Sequence, residues 1–171
     1  MVYNAIGGAE MLRIFPAALA LTLALWAPPL WAQSETLSVE GHVAHPLKLT
    51  LEQVKALPPV TLSLTFQSDH GPQTGTYTGA LLLDIVKEAA PVDQGSDMGA
   101  PWRHTIIATG HDGYGVAVSI GEIDPRFAGK QVLIAYERDG QPMNRQTFRM
   151  VVSGDAHGGR SVNDLATLGI N

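Results

Sequence analysis

His45-Pro46-Leu47-Lys48-Leu49-Thr50-Leu51-Glu52-Gln53-Val54-Lys55-Ala56-Leu57-Pro58-Pro59 contains both the start and the stop of one short helix. His45-Pro46 turns the chain. Thr50 offers the side-chain oxygen that caps a helix, Leu51, Val54 and Leu57 recur at helical spacing, and Pro58-Pro59 forbids continuation. A helix over Leu51 to Ala56 follows. On the near side, Leu37 to Val43 reads Leu, Ser, Val, Glu, Gly, His, Val, the alternation of a strand with one buried face. On the far side, Val60 to Phe66 alternates again and runs into Asp69-His70-Gly71-Pro72, a loop with strong turn chemistry. The segment therefore reads as a strand, one short helix and a strand.

Further on, Thr74 to Thr78 reads as a brief strand, and Ala80 to Ala89 as the main helix. In that helix Leu82, Leu83, Ile85, Val86 and Ala89 make a wide apolar stripe, with Asp84, Lys87 and Glu88 outside it. Pro91 to Pro101 has no periodicity and reads as an exposed loop. His104 to Thr109 and Tyr114 to Ile120 form a hairpin about the tight turn Gly110-His111-Asp112-Gly113. Val132 to Arg138 and Phe148 to Val152 add two strands, with the turn Asp139-Gly140-Gln141-Pro142 after the first. Gly154 to Gly159 is a glycine-rich loop, and Val162 to Leu168 is a strand or one helical turn. The expected class is α+β, with mixed β-sheets of about seven strands and two short helices.

Composition narrows the function. Sixteen acidic and eleven basic residues give a formal charge of -5, and no Lys/Arg cluster supplies the positive footprint that nucleic-acid binding needs. With no cysteine, the chain has no disulfide, no thiolate nucleophile and no sulfur ligand for a metal. Near the start, Arg13 followed by the apolar run Ile14 to Trp26 and then polar Gln33-Ser34-Glu35 has the shape of a secretory signal. The run is shorter than the roughly 20 residues of a membrane-spanning helix. We expect translation to begin at Met11, cleavage after Ala32, a signal peptide over residues 1–32 and one domain over 33–171. The mature chain is then expected in the periplasm, not inserted in the membrane.

Six histidines invite a metal, and His104, His111 and Asp112 lie close in sequence, yet they lack a ligand spacing such as HExxH; no metal site is expected. Ser68, Asp69 and His70 suggest a hydrolase only superficially, because the GxSxG elbow is absent. Gly154 to Gly159 lacks the Gly-Lys-Ser/Thr that closes a P-loop. No catalytic residue is assigned.

The order of segments resembles a known family. Val39-Glu40-Gly41-His42-Val43, the His45 to Pro58 stretch, Thr78-Gly79-Ala80-Leu81-Leu82-Leu83-Asp84-Ile85-Val86, Asp112-Gly113-Tyr114, Ile134 to Met143 and Phe148-Arg149-Met150-Val151-Val152 follow one another as in the molybdopterin-binding domain of the sulfite oxidase family. The resemblance implies that fold over roughly Leu37 to Ile170. It also implies a departure, since catalytic members place a metal-ligating cysteine just after the strand matching Val60 to Phe66. Here that stretch reads Thr65-Phe66-Gln67-Ser68-Asp69-His70. A lysine near the family's domain end is also replaced, Val162 being followed by Asn163 and Asp164.

Small exported proteins of this fold without the cysteine resemble a second group, in which the pocket holds a free pterin. The resemblance implies a free, reduced pterin in place of a molybdenum cofactor, and a sensor role toward the periplasmic domain of a membrane protein such as a cyclic-di-GMP enzyme. Two readings stand beside it: an oxidoreductase in which Ser68 or solvent replaces the thiolate, and a structural module without cofactor.

A pterin needs a plane to stack on and a few fixed polar groups. Phe66, Trp102, Tyr114, Tyr136 and Phe148 are the aromatics in the right region; Phe66 and Tyr136 alternate with aliphatics and read as core, whereas Trp102, after the loop, and Tyr114, after a glycine turn, are more informative. Arg145 and Arg149 can stack and donate a fork of hydrogen bonds. Gln67 and Ser68, at the vacated cysteine position, could donate to ring oxygens or close a turn. The cofactor-binding set is thus Gln67, Ser68, Trp102, Tyr114, Arg145, Phe148 and Arg149.

Overall fold

A computed structural model describes residues 36–92, 101–143 and 147–171. The expected signal segment, most of the Pro91 to Pro101 loop and Arg145 lie outside the described residues. Gln33–Asn171 form one compact unit.

Two five-stranded sheets share a core. The first has the order β2 (Leu47–Leu49), β1 (Leu37–Gly41), β10 (Leu165–Ile170), β5 (Thr105–Gly110) and β6 (Gly115–Ser119). Only β1 and β10 run parallel; the other neighbours are antiparallel. The second runs β3 (Pro59–Ser68), β4 (Gly71–Leu81), β7 (Val132–Arg138), and then both β8 (Gln141–Pro142) and β9 (Arg149–Val152) along the far edge of β7. Their inward faces, with Leu37, Ile106, Leu168, Ile134 and Met150, bury a single apolar cluster together with Leu82, Ile85 and Val86 of α2 (Leu82–Ala89). Each such aliphatic taken from water contributes about 1.5–3 kcal/mol.

The helix α1 (Leu51–Ala56) forms as its caps require: Gln53 N donates to Thr50 Oγ1, and Thr50 N donates back to Gln53 Oε1. Elsewhere tertiary pairing changes the reading. Gly79 leads into the expected helix and Ala80 and Leu81 fall inside it, yet all three extend β4 and pair with β7. Gly79 permits it, since a Cβ there would lie 2.3 Å from Ile134 O. The helix α2 therefore starts at Leu82 instead of Ala80. Ser119 caps a third short helix, α3 (Ile120–Ile123), which begins at the residue where the expected strand Tyr114 to Ile120 ends. The described residues thus hold ten strands and three helices, against an expectation of about seven and two.

The long β3–β4 hairpin has two unlike faces. Thr61–Thr78, Ser63–Thr76 and Thr65–Thr74 form a ladder of hydroxyl pairs at 3.0 to 3.1 Å on one side. On the other, Val60, Leu62 and Leu64 lean on a small second cluster of Tyr77, Leu133, Ala135 and Val151. Beyond Leu64 the same face carries Phe66, and the cleft begins there.

Candidate functional site

The cleft forms where β3 ends, β9 begins, and the chain enters β10. Because β8 and β9 pair with different stretches of β7, a gap is left between them. One cavity of about 470 Å³ occupies that gap, bounded by Arg138, Met143, Arg149, Asn163 and Asp164. A second, of about 490 Å³, lies against Phe66, Gln67, Ser68, His157 and Gly159. Arg149 and Asn163 belong to both walls. Each volume falls within the roughly 300–1,000 Å³ usual for small-molecule sites.

Arg149 stands at the junction. As first residue of β9, opposite Ala135, it projects on the face of the second cluster. Its guanidinium lies 5.4 Å from the Tyr77 ring centre and 5.7 Å from that of Phe66. Its Nε is buried without a hydrogen-bond partner among the described residues. Burial pushes its pKa down from the ordinary arginine value; Tyr77 opposes that shift, and the like charge of Arg138 adds to it. Arg138 lies over Tyr77 at 5.6 Å and donates to Thr74 O. The Tyr77 hydroxyl is also buried, with no partner among the described residues. Arg138 also pairs with Asp139 at 3.3 Å, so among the described residues it is the Arg149 Nε and the Tyr77 hydroxyl that converge with donors unspent.

The walls are fixed from behind. The Gly158–Arg160 turn covers Phe66, and only glycine fits at 158, since a Cβ there would meet the ring at 2.6 Å. Arg160 anchors that turn: its Nε and second terminal nitrogen bind Asp155 at 2.8 and 2.6 Å, and its other nitrogen reaches Glu122 of α3 at 3.1 Å. Lys130 bridges the same two carboxylates at 3.1 and 3.2 Å. The Arg160 and Lys130 hydrogen bonds hold the Asp155 carboxyl below its ordinary value.

The sequence-based candidates separate on this geometry. Arg149, Gln67 and Ser68 line the cleft, but Ser68 Oγ is engaged, donating to Gly71 O and accepting from His70 N. Gln67 N donates to Ala156 O, so its backbone ties β3 to the covering loop. Phe148 borders the first cavity, but its side chain is fully buried in the main core. Tyr114 does not line the cleft: its hydroxyl donates to Gly159 O, and His111 N beside it holds Asp164 O, so the Asp-Gly-Tyr turn clamps the wall from outside. Trp102 is not among the lining residues either; it packs on Phe127 and under Arg126, near α3, because its short turn docks there. Arg145 lies outside the described residues.

The sequence reading missed Phe66, Tyr77, Arg138 and Asp164. Phe66 was masked by its perfect alternation with core aliphatics, and Arg138 by its place at a strand end, where solvated charge is ordinary. Among the described residues no three His, Asp or Glu side chains converge as a metal site. His104, one of the metal candidates, instead shares a hydrogen bond with Asn171 O.

One mixed and one antiparallel sheet, with a polar, two-lobed cleft at the edge of the second, have the form of a small-molecule-binding domain. The chain belongs to the family of oxidoreductase molybdopterin-binding domains, whose pattern matches residues 25–170. It is 30% identical over 168 residues to an NADH nitrate reductase of Ulva prolifera, a match covering 81% of this chain and 19% of that protein. Its fold is that of the sulfane dehydrogenase SoxCD from Paracoccus pantotrophus, with a TM-score of 0.65 and 20% identity, over 81% of this chain and 38% of that one. The chain thus spans about a fifth and under two fifths of these relatives.

The family's cofactor has a pterin part and a metal part, and the residues here fit them unequally. A flat, polar ring system suits a cleft walled by Phe66, with the Arg149 donor buried and unspent. A protein thiolate for the metal cannot come from a chain without cysteine, and the hydroxyl at that place, Ser68 Oγ, already closes a turn. A neutral, hydrogen-bonded hydroxyl is a poor ligand beside a soft, charged sulfur.

Proposed function

We propose that this chain is a pterin-binding protein of the periplasm, exported by a signal over residues 1–32, that reports ligand occupancy to the periplasmic domain of a membrane-bound partner such as a cyclic-di-GMP enzyme. The bound species is a free, reduced pterin without molybdenum. The observation that carries the binding step is Arg149, whose buried Nε has no partner among the described residues while its guanidinium lies over the Phe66 ring at 5.7 Å on the cleft wall. A pterin carbonyl or ring nitrogen would take that donor. In this reading the chain's residues bind and orient; no proton or electron transfer is asked of them. The resemblance to exported, cysteine-free sensors supports the partner.

A second reading has its own support. The family is one of oxidoreductases, and both relatives are named for redox activities, which favours an oxidoreductase subunit with Ser68 or solvent at the metal. Purification from the native periplasm, followed by mass spectrometry of released ligand and elemental analysis, separates the two. A free pterin with molybdenum far below stoichiometry is expected. Near-stoichiometric molybdenum would establish the second reading in its place, and protein that neither carries nor takes up a pterin would remove the first.

A further inference from the structure

We infer that Asp164 is the specificity residue of the cleft, reading the 2-amino edge of a 2-amino-4-oxo pteridine through its carboxylate while Arg149 takes the 4-oxo side; this rests on the pterin reading. Asp164 lines the same cavity as Arg149. Its Oδ1 is buried and has no hydrogen-bond partner among the described residues. A shielded carboxylate oxygen left unpaired is costly, and the surrounding backbone shows that its place is imposed. His111 N holds Asp164 O at 3.0 Å, Leu165 N holds Phe148 O at 2.8 Å, and Asp164 itself has φ +50°. The chain is fixed on both sides in a left-handed turn that aspartate and asparagine tolerate better than most residues.

The cavity therefore pairs an unspent anionic acceptor, Asp164 Oδ1, with an unspent cationic donor, Arg149 Nε. A ligand that satisfies both must be donor on one edge and acceptor on another within one flat body. A 2-amino-4-oxo pteridine is so built: N3–H and the 2-amino group present two parallel donors, the geometry a carboxylate accepts in bidentate fashion, and the 4-oxo group is the neighbouring acceptor. Exchange of the 2-amino group for a second carbonyl places oxygen against carboxylate oxygen. The site should reject that analogue, because the polar group built for the amine then goes unpaired.

The test compares pterin with lumazine, its 2,4-dioxo counterpart, by titration calorimetry on ligand-stripped full-length chain and on Asp164→Asn, with thermal melts in parallel. Wild type should prefer pterin by roughly tenfold or more. Asp164→Asn, which suits the same turn and can donate as well as accept, should fold, lose affinity for pterin and narrow the preference to about twofold or reverse it. Equal binding of the two pteridines by wild type overturns the assignment without the variant, as does a preference unchanged in Asp164→Asn; either leaves the pterin reading standing. Failure of wild type to bind either pteridine overturns both.

Discussion

Arg160 and Arg149 flank one cleft and are treated in opposite ways. The Arg160 guanidinium is surrounded by acceptors from Asp155 and Glu122, which Lys130 bridges in turn. Arg149, eleven residues earlier in the chain, has aromatic planes about it, a like charge nearby and a buried Nε with no acceptor among the described residues. Native proteins pair nearly all buried polar groups. Where the chain saturates its charges against one another, it has built a scaffold; where it leaves donors and acceptors unspent beside a cavity, the complement is meant to come from outside.

The largest effect that could break this contrast is on the scaffold side. Arg160→Met strands Asp155 and Glu122 beside a single lysine and should cost about 2 kcal/mol, between an exposed pair and a fully buried one. Denaturant melts would check it. The Gly158–Arg160 turn that covers Phe66 should loosen as well, so ligand affinity should fall with stability. A variant as stable as wild type would make the network decorative.

Arg149→Met is the opposite case. Its removal deletes a desolvated charge with an unpaired donor, so stability should hold or rise slightly, while pterin affinity should drop by about tenfold or more, the worth of one charge-assisted hydrogen bond. Arg103→Ala, an exposed position away from the cleft, should leave affinity nearly unchanged. Calorimetry beside melting curves reads both. A loss of stability like that of Arg160→Met with affinity intact would put the two arginines in one class.

How far the sequence alone shows this is itself uneven. Thr50 and the Pro58-Pro59 stop announce α1 because an N-cap and a proline break are local, and the Asp-Gly turn announces the β5–β6 hairpin for the same reason. The continuation of the strand over Gly79 to Leu81 is not legible, since its cause is the approach of Ile134, far along the chain. Arg149 stood out as a charge among strand aliphatics. Asp164 did not stand out as a site residue, because nothing in Val162-Asn163-Asp164-Leu165 says that the turn is pinned by His111 and Phe148. A large ring beside a glycine turn or a loop, as at Trp102 and Tyr114, signals a half-buried aromatic but not which side of a wall it stands on.

Tyr114→Phe tests that wall. The ring is about half exposed, and its hydroxyl donates to Gly159 O, so the loss is one partly exposed hydrogen bond, about 1 kcal/mol or less. If Tyr114 clamps the wall, pterin affinity should fall only modestly and in step with local opening, seen as faster amide exchange near Gly159. If it stacks on the ligand, the phenylalanine should preserve affinity and Tyr114→Ala should destroy it.

The smallest effect is with pH, and its sign follows from the scaffold. Asp155 has its pKa lowered first by the Arg160 hydrogen bonds and then by Lys130, against the opposing pull of burial. A carboxyl with a depressed folded value contributes stability that is fully present above the unfolded value, about 3.9, and is lost as pH falls through the folded value below it. Between pH 5 and 7, roughly, this group should therefore leave stability flat. Below about pH 4 the melting temperature should fall, and Arg160→Met should show a shallower fall over that window, because most of the depression has already been removed. Arg149→Met should follow the wild-type acid limb with an unchanged slope, since Arg149 is not among the groups that hold the Asp155 carboxyl down. An equal flattening of the slope in both variants would mean that the cleft and its anchor titrate as one network, and the separation between a saturated scaffold and an unspent site would be lost.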